Sequence, residues 1–283
     1  MQASNFSALA RPLDVSYRSN LVVIFLCLLS FFIALPYQWL YLDTAFLDSL
    51  WWAAQASMTV FFSWALGREI DPDVNTSAFL AIPFSLIAFY FAENTDWLAL
   101  LAFLMILRIC SHICGQKLKV SDIVLVLGLT AFLCWRGQYI LGFSTAVVLL
   151  ADYTLSPVNR KSLWYALAAL LLGIVGGLFF RKDLGYEALV FPEAWLLGVA
   201  LNSLVFVAVI NSYKRPHSTE DYKVQPLNGS RMQAAQLIVL LTLLFMFFVY
   251  GYGSALSLAA VWAAIVATNL SRLYYWLTRH SPY

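Results

Sequence analysis

Charge is what this sequence has least of. Asp, Glu, Lys and Arg make up 11% of its 283 residues, whereas an ordinary soluble domain carries roughly 25%. The net charge is only +2, so there is no basic field of the kind that gathers nucleic acid. Familiar catalytic signatures are missing as well. No Walker loop, no Rossmann glycine pattern, no His-Glu-x-x-His and no Gly-x-Ser-x-Gly occurs, which leaves nucleotide-driven energy coupling and the common hydrolase machineries unsupported. The four cysteines, Cys27, Cys110, Cys114 and Cys134, all lie in apolar runs. There a thiol acts as a small hydrophobe, and no secreted disulfide framework is implied.

What the chain does have is oil. Hydrophobic residues make up 62% and the mean hydropathy is +0.77, more apolar surface than a water-soluble fold of this length can hide. The implied partner is a lipid bilayer. A spanning helix needs about 20 apolar residues, since the helix rises 1.5 Å per residue through a hydrocarbon core of about 30 Å. Stretches of that kind run over 21–42, 47–66, 78–92, 97–114, 122–135, 138–152, 162–180, 190–212, 232–250 and 254–276. The first is too long for the apolar region of a signal peptide and is read as a retained span. The expected fold is an all-α polytopic transmembrane protein of about ten helices: a tail over 1–20, then one helical domain over 21–283 with a polar loop over 214–231.

Two short stretches flank Arg136-Gly137-Gln138 and could merge into one long tilted helix, giving one span fewer. Charge decides against it. With separate spans and a cytoplasmic N-terminus, all of the 17 Lys and Arg except Arg136, Arg181 and Lys182 fall on the cytoplasmic side, as the positive-inside rule asks. Both termini are then cytoplasmic, and the loop 214–231, with no apolar periodicity, reads as a flexible cytoplasmic connection. The sequons at Asn5, Asn75, Asn228 and Asn269 all lie on that side, consistent with a multi-pass protein of a bacterial inner membrane. Ten helices divide into two five-helix halves, the second inverted, a common transporter plan. Leu66-Gly67-Arg68-Glu69-Ile70-Asp71 and Phe180-Arg181-Lys182-Asp183-Leu184 are the corresponding polar clusters.

Candidate chemistry gathers at the cytoplasmic face. Glu69, Asp71 and Asp73 lie within five residues, around the helix-stopping Pro72, and could hold Mg²⁺ against a phosphate. Arg108 lies inside a helix end, where a charge needs a carboxylate or a route to the headgroups, and Glu69 or Asp71 is the expected partner. Asp122 heads the fifth span and Asp152 ends the sixth. Together with Arg68 these form one expected polar cluster. Cys110, His112 and Cys114 cannot converge on one metal, because the middle residue of a helical i, i+4 pair points away. His217 and His280 read as solvated. Gln55 and Asn202 lie mid-span, where amides bridge helices or line a pathway. Gly173-x-x-x-Gly177 and the stripe Ala255, Ala259, Ala260, Ala263, Ala264 and Ala267 permit close helix contacts. Trp39, Tyr41, Trp51, Trp52, Trp97, Trp135, Tyr139 and Trp195 mark an outer membrane boundary, and Tyr274, Tyr275 and Trp276 an inner one.

Two functional readings follow. The length, helix number, orientation and sparse buried polar groups resemble the ten-helix drug/metabolite transporter plan. That resemblance implies a secondary carrier for a small metabolite, with Gln55 and Asn202 meeting substrate. The alternative is an enzyme acting on a lipid phosphate or diphosphate at the cytoplasmic face. Asp71 and Asp73 after the second span and Asp152 after the sixth are similar to the two Asp-rich loops of intramembrane prenyltransferases, although the Asn-Asp-x-x-Asp spacing is not present. This implies Mg²⁺ held by Glu69, Asp71 and Asp73, with phosphate neutralised by Arg108, Lys117 and Lys119. A third class, an accessory protein that scaffolds partners, carries no motif of its own.

Overall fold

The apolar stretches all fold as helix. A computed structural model describes residues 7–9, 11, 14–92, 95–155, 158–180, 193–214, 216–221 and 225–278. Helices run over Arg18–Pro36 (α1), Phe46–Ile70 (α2), Asn75–Ala92 (α3), Trp97–Ser111 (α4), Val120–Trp135 (α5), Ile140–Thr154 (α6), Ser162–Phe179 (α7), Glu193–Ser212 (α8), Gly229–Tyr250 (α9), Tyr252–Ser257 (α10) and Ala259–Thr278 (α11). Among the described residues there is no strand, only an isolated bridge between Thr219 and Pro226. The Asn5 sequon, Ser156-Pro157, the Arg181-Lys182-Asp183-Leu184 cluster, Arg215, Lys223, Arg279 and His280 lie outside the described residues.

Among the described residues, five helical segments are long and apolar enough to cross a bilayer: Arg18–Tyr41, Asn75–Ala92, Ser162–Phe179, Glu193–Ser212 and Gly229–Tyr250. Their outward faces are oily. Phe25 is 61% exposed and Phe32 65%, a surface suited to hydrocarbon and not to water.

The breaks follow local chemistry. At Arg136-Gly137 the chain turns, with Gly137 at φ 91°, a region open to glycine. The long tilted helix is thereby excluded: α5 and α6 form a hairpin, joined by the hydroxyls of Thr130 and Thr145 at 3.2 Å. Pro36 has no N–H to give, and immediately beyond it the helix widens into a π-turn over Tyr37–Tyr41, with the Leu42 N–H reaching back five residues to the Tyr37 carbonyl at 3.1 Å. The last stretch, expected as one helix over 254–276, breaks before α11. The Ser257 carbonyl at the end of α10 accepts the Asp96 N–H at 3.2 Å, and the ladder restarts with Val261 N–H on Leu258. Ahead of α1, the exposed carboxylate of Asp14 is held below its usual range by hydrogen bonds from the side chain and N–H of Ser16.

The chain forms two compact units, and they are not consecutive five-helix halves. One is built on α1, α2, α3 and α11. The other is built on α5 to α9, the part of α4 from Leu101 on, and the described tail residues Ser7, Ala8, Leu9 and Arg11. In the first, α2 packs on α1, α3 and α11, and α3 packs on α11. The alanine stripe is the buried face of α11, with Ala260, Ala264 and Ala267 at 1% exposure or less.

In the second unit, α6 packs on α7 at glycines. A Cβ placed on Gly142 would lie 2.6 Å from the Gly173 Cα, closer than any side chain can sit. Gly176, not Gly177, makes the next tight approach, against Cys134. Thr242 on α9 donates to Ser144 on α6 at 2.8 Å.

Candidate functional site

The expected polar cluster divides between the units. Arg68, Glu69, Asp71 and Asp73 belong to the first, Arg108, Asp122 and Asp152 to the second. Within each, an arginine that the sequence offered only as a topology signal turns out to be the organising group.

In the first unit, α2 ends at Ile70 and Asp71 follows outside the helical conformation, its N–H still bonded to Gly67. Its carboxylate is fully buried and meets Arg272 of α11 in a two-pronged pair, Nε to Oδ2 at 3.0 Å and Nη2 to Oδ1 at 2.8 Å. Asp73 Oδ2 lies 3.8 Å from the same guanidinium. Glu69 is buried too. Arg68 lies over the Trp64 ring at 5.2 Å from its centre and donates to Asn20 at 3.4 Å. Among the described residues no group of three His, Cys, Asp or Glu side chains could hold a metal ion. The Mg²⁺ arrangement does not fit, because Asp71 commits both oxygens to Arg272.

In the second unit, Arg231 in the first turn of α9 is 1% exposed. It donates to Asp152 Oδ1 from Nη1 and Nη2, both at 3.3 Å, to the Cys110 carbonyl at 3.2 Å and to the Leu155 carbonyl at 3.1 Å. Asp152 Oδ2 accepts from Ser162 at 2.6 Å and Asn159 at 3.2 Å. Helices α4, α6, α7 and α9 are thus tied at one buried ion pair. Asn228 caps α9 by accepting from the Ser230 and Arg231 N–H groups at 3.0 and 3.3 Å.

Asp122 and Arg108 hold the N-terminal tail. Asp122 Oδ2 accepts the Ala8 N–H and the Lys119 N–H, each at 2.9 Å, and its Oδ1 accepts from Ser7 Oγ. Arg108 donates to the Leu9 carbonyl at 2.9 Å, and of the two carboxylates expected for it, Glu69 or Asp71, the latter is gripped by Arg272. The cavity beside Arg108, lined by Leu9, Ile109, His112 and Gln116 among others, measures about 10 Å³, room for a single water.

The loop 214–231, expected to be flexible, is pinned at its described residues. Arg11 pairs with Asp221 at 2.7 Å, the Asp221 N–H meets the Ile113 carbonyl at 3.0 Å, and His112 Nδ1 lies 3.8 Å from Glu220. His217 is exposed.

The two expected pathway amides belong to different units. Gln55 is 4% exposed and accepts the Thr95 N–H at 3.0 Å, anchoring the approach to α4. Asn202 is half-buried on α8.

One cavity was not expected. It is a groove of about 350 Å³ in the first unit, lined by Ser30, Ile33, Ala34 and Tyr37 of α1 and its π-turn, Trp52 and Ala56 of α2, and Leu86, Phe89 and Tyr90 of α3. Its walls are aromatic. Trp52 lies 5.0 Å from Phe89 and 6.2 Å from Tyr37, and the Tyr37 and Tyr90 hydroxyls meet at 3.2 Å. The sequence marks Trp52 only as a membrane-boundary residue; Pro36, at the end of α1, was the one available signal.

No known protein family, curated protein or solved structure matches this chain.

Proposed function

We propose that the chain is a polytopic permease, a secondary carrier of about ten spans with both ends on the cytoplasmic side of a bacterial inner membrane, and that its cargo is a lipophilic small molecule received in the groove of α1, α2 and α3. One observation carries this reading. The carboxylates and arginines that could have served a charged substrate are engaged in internal pairs (Asp71 with Arg272, Asp152 with Arg231), while the roomy cavity is apolar and aromatic. Buried polar groups of that kind fix helices, whereas ligand pockets are concave, mostly apolar and about 300–1,000 Å³.

The same pairing weighs against the phosphate-processing enzyme, which needs Asp71 and Asp73 open to metal and Arg108 open to phosphate. The test is an untargeted comparison of lipids and small metabolites in cells with and without the gene, and in cells carrying an Ala56→Leu variant. One lipophilic species should shift its distribution between cells and medium when the gene is lost, and Ala56→Leu should reproduce the shift. Profiles that are the same in all three strains would remove the carrier reading.

A further inference from the structure

The groove has a direction. Ser30 to Tyr37 is seven residues of α1, about 10 Å along the axis at 1.5 Å per residue. At the Ser30 end the hydroxyl already donates to the Cys27 carbonyl at 2.9 Å, and the neighbouring wall is Ile33, Ala34, Ala56 and Leu86. At the other end stand the paired Tyr37 and Tyr90 hydroxyls. Two phenols supply two O–H donors, and their mutual bond uses one. One O–H and several lone pairs remain at the rim. This is also the end at which α1 and α3 finish and α2 begins, where Trp39, Tyr41 and Trp51 are exposed, the level at which amphipathic rings meet lipid headgroups. Of the lining residues, Ile33 is 60% and Tyr90 56% exposed, so the groove opens to an outer surface on which α1 also exposes Leu29 and Phe32, a surface suited to hydrocarbon. π-Turns are frequent at functional sites, and here the turn that ends α1 carries Tyr37.

We infer that this groove binds a single-tailed amphiphile from the bilayer, its alkyl or prenyl chain lying along α1 and a hydroxyl, carboxyl or carbonyl head at the Tyr37 and Tyr90 hydroxyls. The inference rests on the reading of the groove as the cargo site and names the class of cargo. A volume of about 350 Å³ lies at the small end of ligand cavities, which suits one chain and not two. A single chain with a compact head that hydrogen-bonds the phenols separates a ligand from bulk two-chain lipid, whose second chain a groove of this size does not take.

The experiment uses the full chain in nanodiscs of phosphatidylethanolamine and phosphatidylglycerol. They are irradiated with a diazirine-bearing long-chain fatty acid or with a diazirine-bearing alkane of the same length, and the labelled peptides are mapped. Fatty-acid label should concentrate on the peptides carrying Ser30 to Tyr37, Trp52 to Ala56 and Leu86 to Tyr90. Ala56→Leu, which narrows the groove, should abolish that concentration. The Tyr37→Phe, Tyr90→Phe double variant, which keeps the shape, should weaken competition by unlabelled fatty acid about tenfold and leave alkane labelling unchanged. Label spread evenly over the exposed faces of α7 and α8, and insensitive to the tyrosine variant, would overturn the site. Site-specific labelling together with flat metabolite profiles would leave binding standing and remove only the carrier reading. A cargo found by metabolite comparison without site-specific labelling would do the reverse.

Discussion

The guanidinium of Arg272 grips the carboxylate of Asp71 with two nitrogens at 3.0 and 2.8 Å, across 201 positions of sequence. Both groups are out of water, so each depends on the other: a lone buried charge costs several kcal/mol. Arg272→Met should lower stability by about 3–5 kcal/mol, read as a large drop in melting temperature of the purified protein in detergent. Arg272→Lys should recover only part of it, because an ammonium cannot match the fork. If Arg272→Met melts with the parent, the pair is not holding α2 to α11.

Arg231 should be still less replaceable. Its head serves Asp152 and two backbone carbonyls at once, and its loss would strand three acceptors, one on α4 and two at the end of α6. Arg231→Lys should melt close to Arg231→Met, both about 3–5 kcal/mol below the parent. Full rescue by lysine would show that charge alone matters there.

Asp122 does two jobs, capping α5 at Lys119 and holding Ala8. Asp122→Ala should weaken both by about 1–3 kcal/mol. The check is hydrogen exchange, which should rise at Ala8, Leu9 and the first turn of α5 while the amides at the centre of α9 keep the parent's protection. An unchanged Ala8 amide would refute the link.

Helix α6 meets α7 backbone to backbone. Gly142→Val should cost about 1–3 kcal/mol by overpacking, since any Cβ there strikes Gly173. Gly128 of α5 has nothing within 4 Å of such a Cβ, so Gly128→Ala should be neutral or stabilising by up to about 1 kcal/mol. Thermal melts of the two variants side by side would reverse the prediction if their order were inverted.

The proposed topology has its own measurement. Reporters fused to either terminus should both report the cytoplasm, as the distribution of Lys and Arg asks. Opposite compartments would require an odd number of spans.

Much of the helical layout was legible because oil and breakers are local signals. Arg136-Gly137-Gln138 announced its turn, and the small residues Ala260, Ala264 and Ala267 announced the buried face of α11. The partners were not legible, although a clue existed. Ala264, Thr268 and Arg272 follow one another at four-residue steps, so Arg272 continues the buried stripe. A positive-inside count treats it only as a cation facing water.

Nothing near Asp71 in sequence names a partner on α11, just as nothing near Asp152 names Arg231. Hydropathy has no memory of which helix packs on which, and so the grouping of α11 with α1, α2 and α3 escaped it. The groove escaped for a related reason. Trp52, Phe89 and Tyr37 come from three helices, and each alone reads as ordinary lipid-facing aromatic surface.

The grouping of α11 with the first three helices sets a timetable for biogenesis. Asp71 leaves the ribosome 201 residues ahead of Arg272, roughly 10–40 s at ordinary rates of synthesis. Through that interval the α2–α3 corner must wait without the guanidinium of Arg272, so its acid has to be kept wet or chaperoned at the translocon. Chains interrupted before α11 would present that bare acid to quality-control proteases, and degradation would report the fault before any assay of activity could.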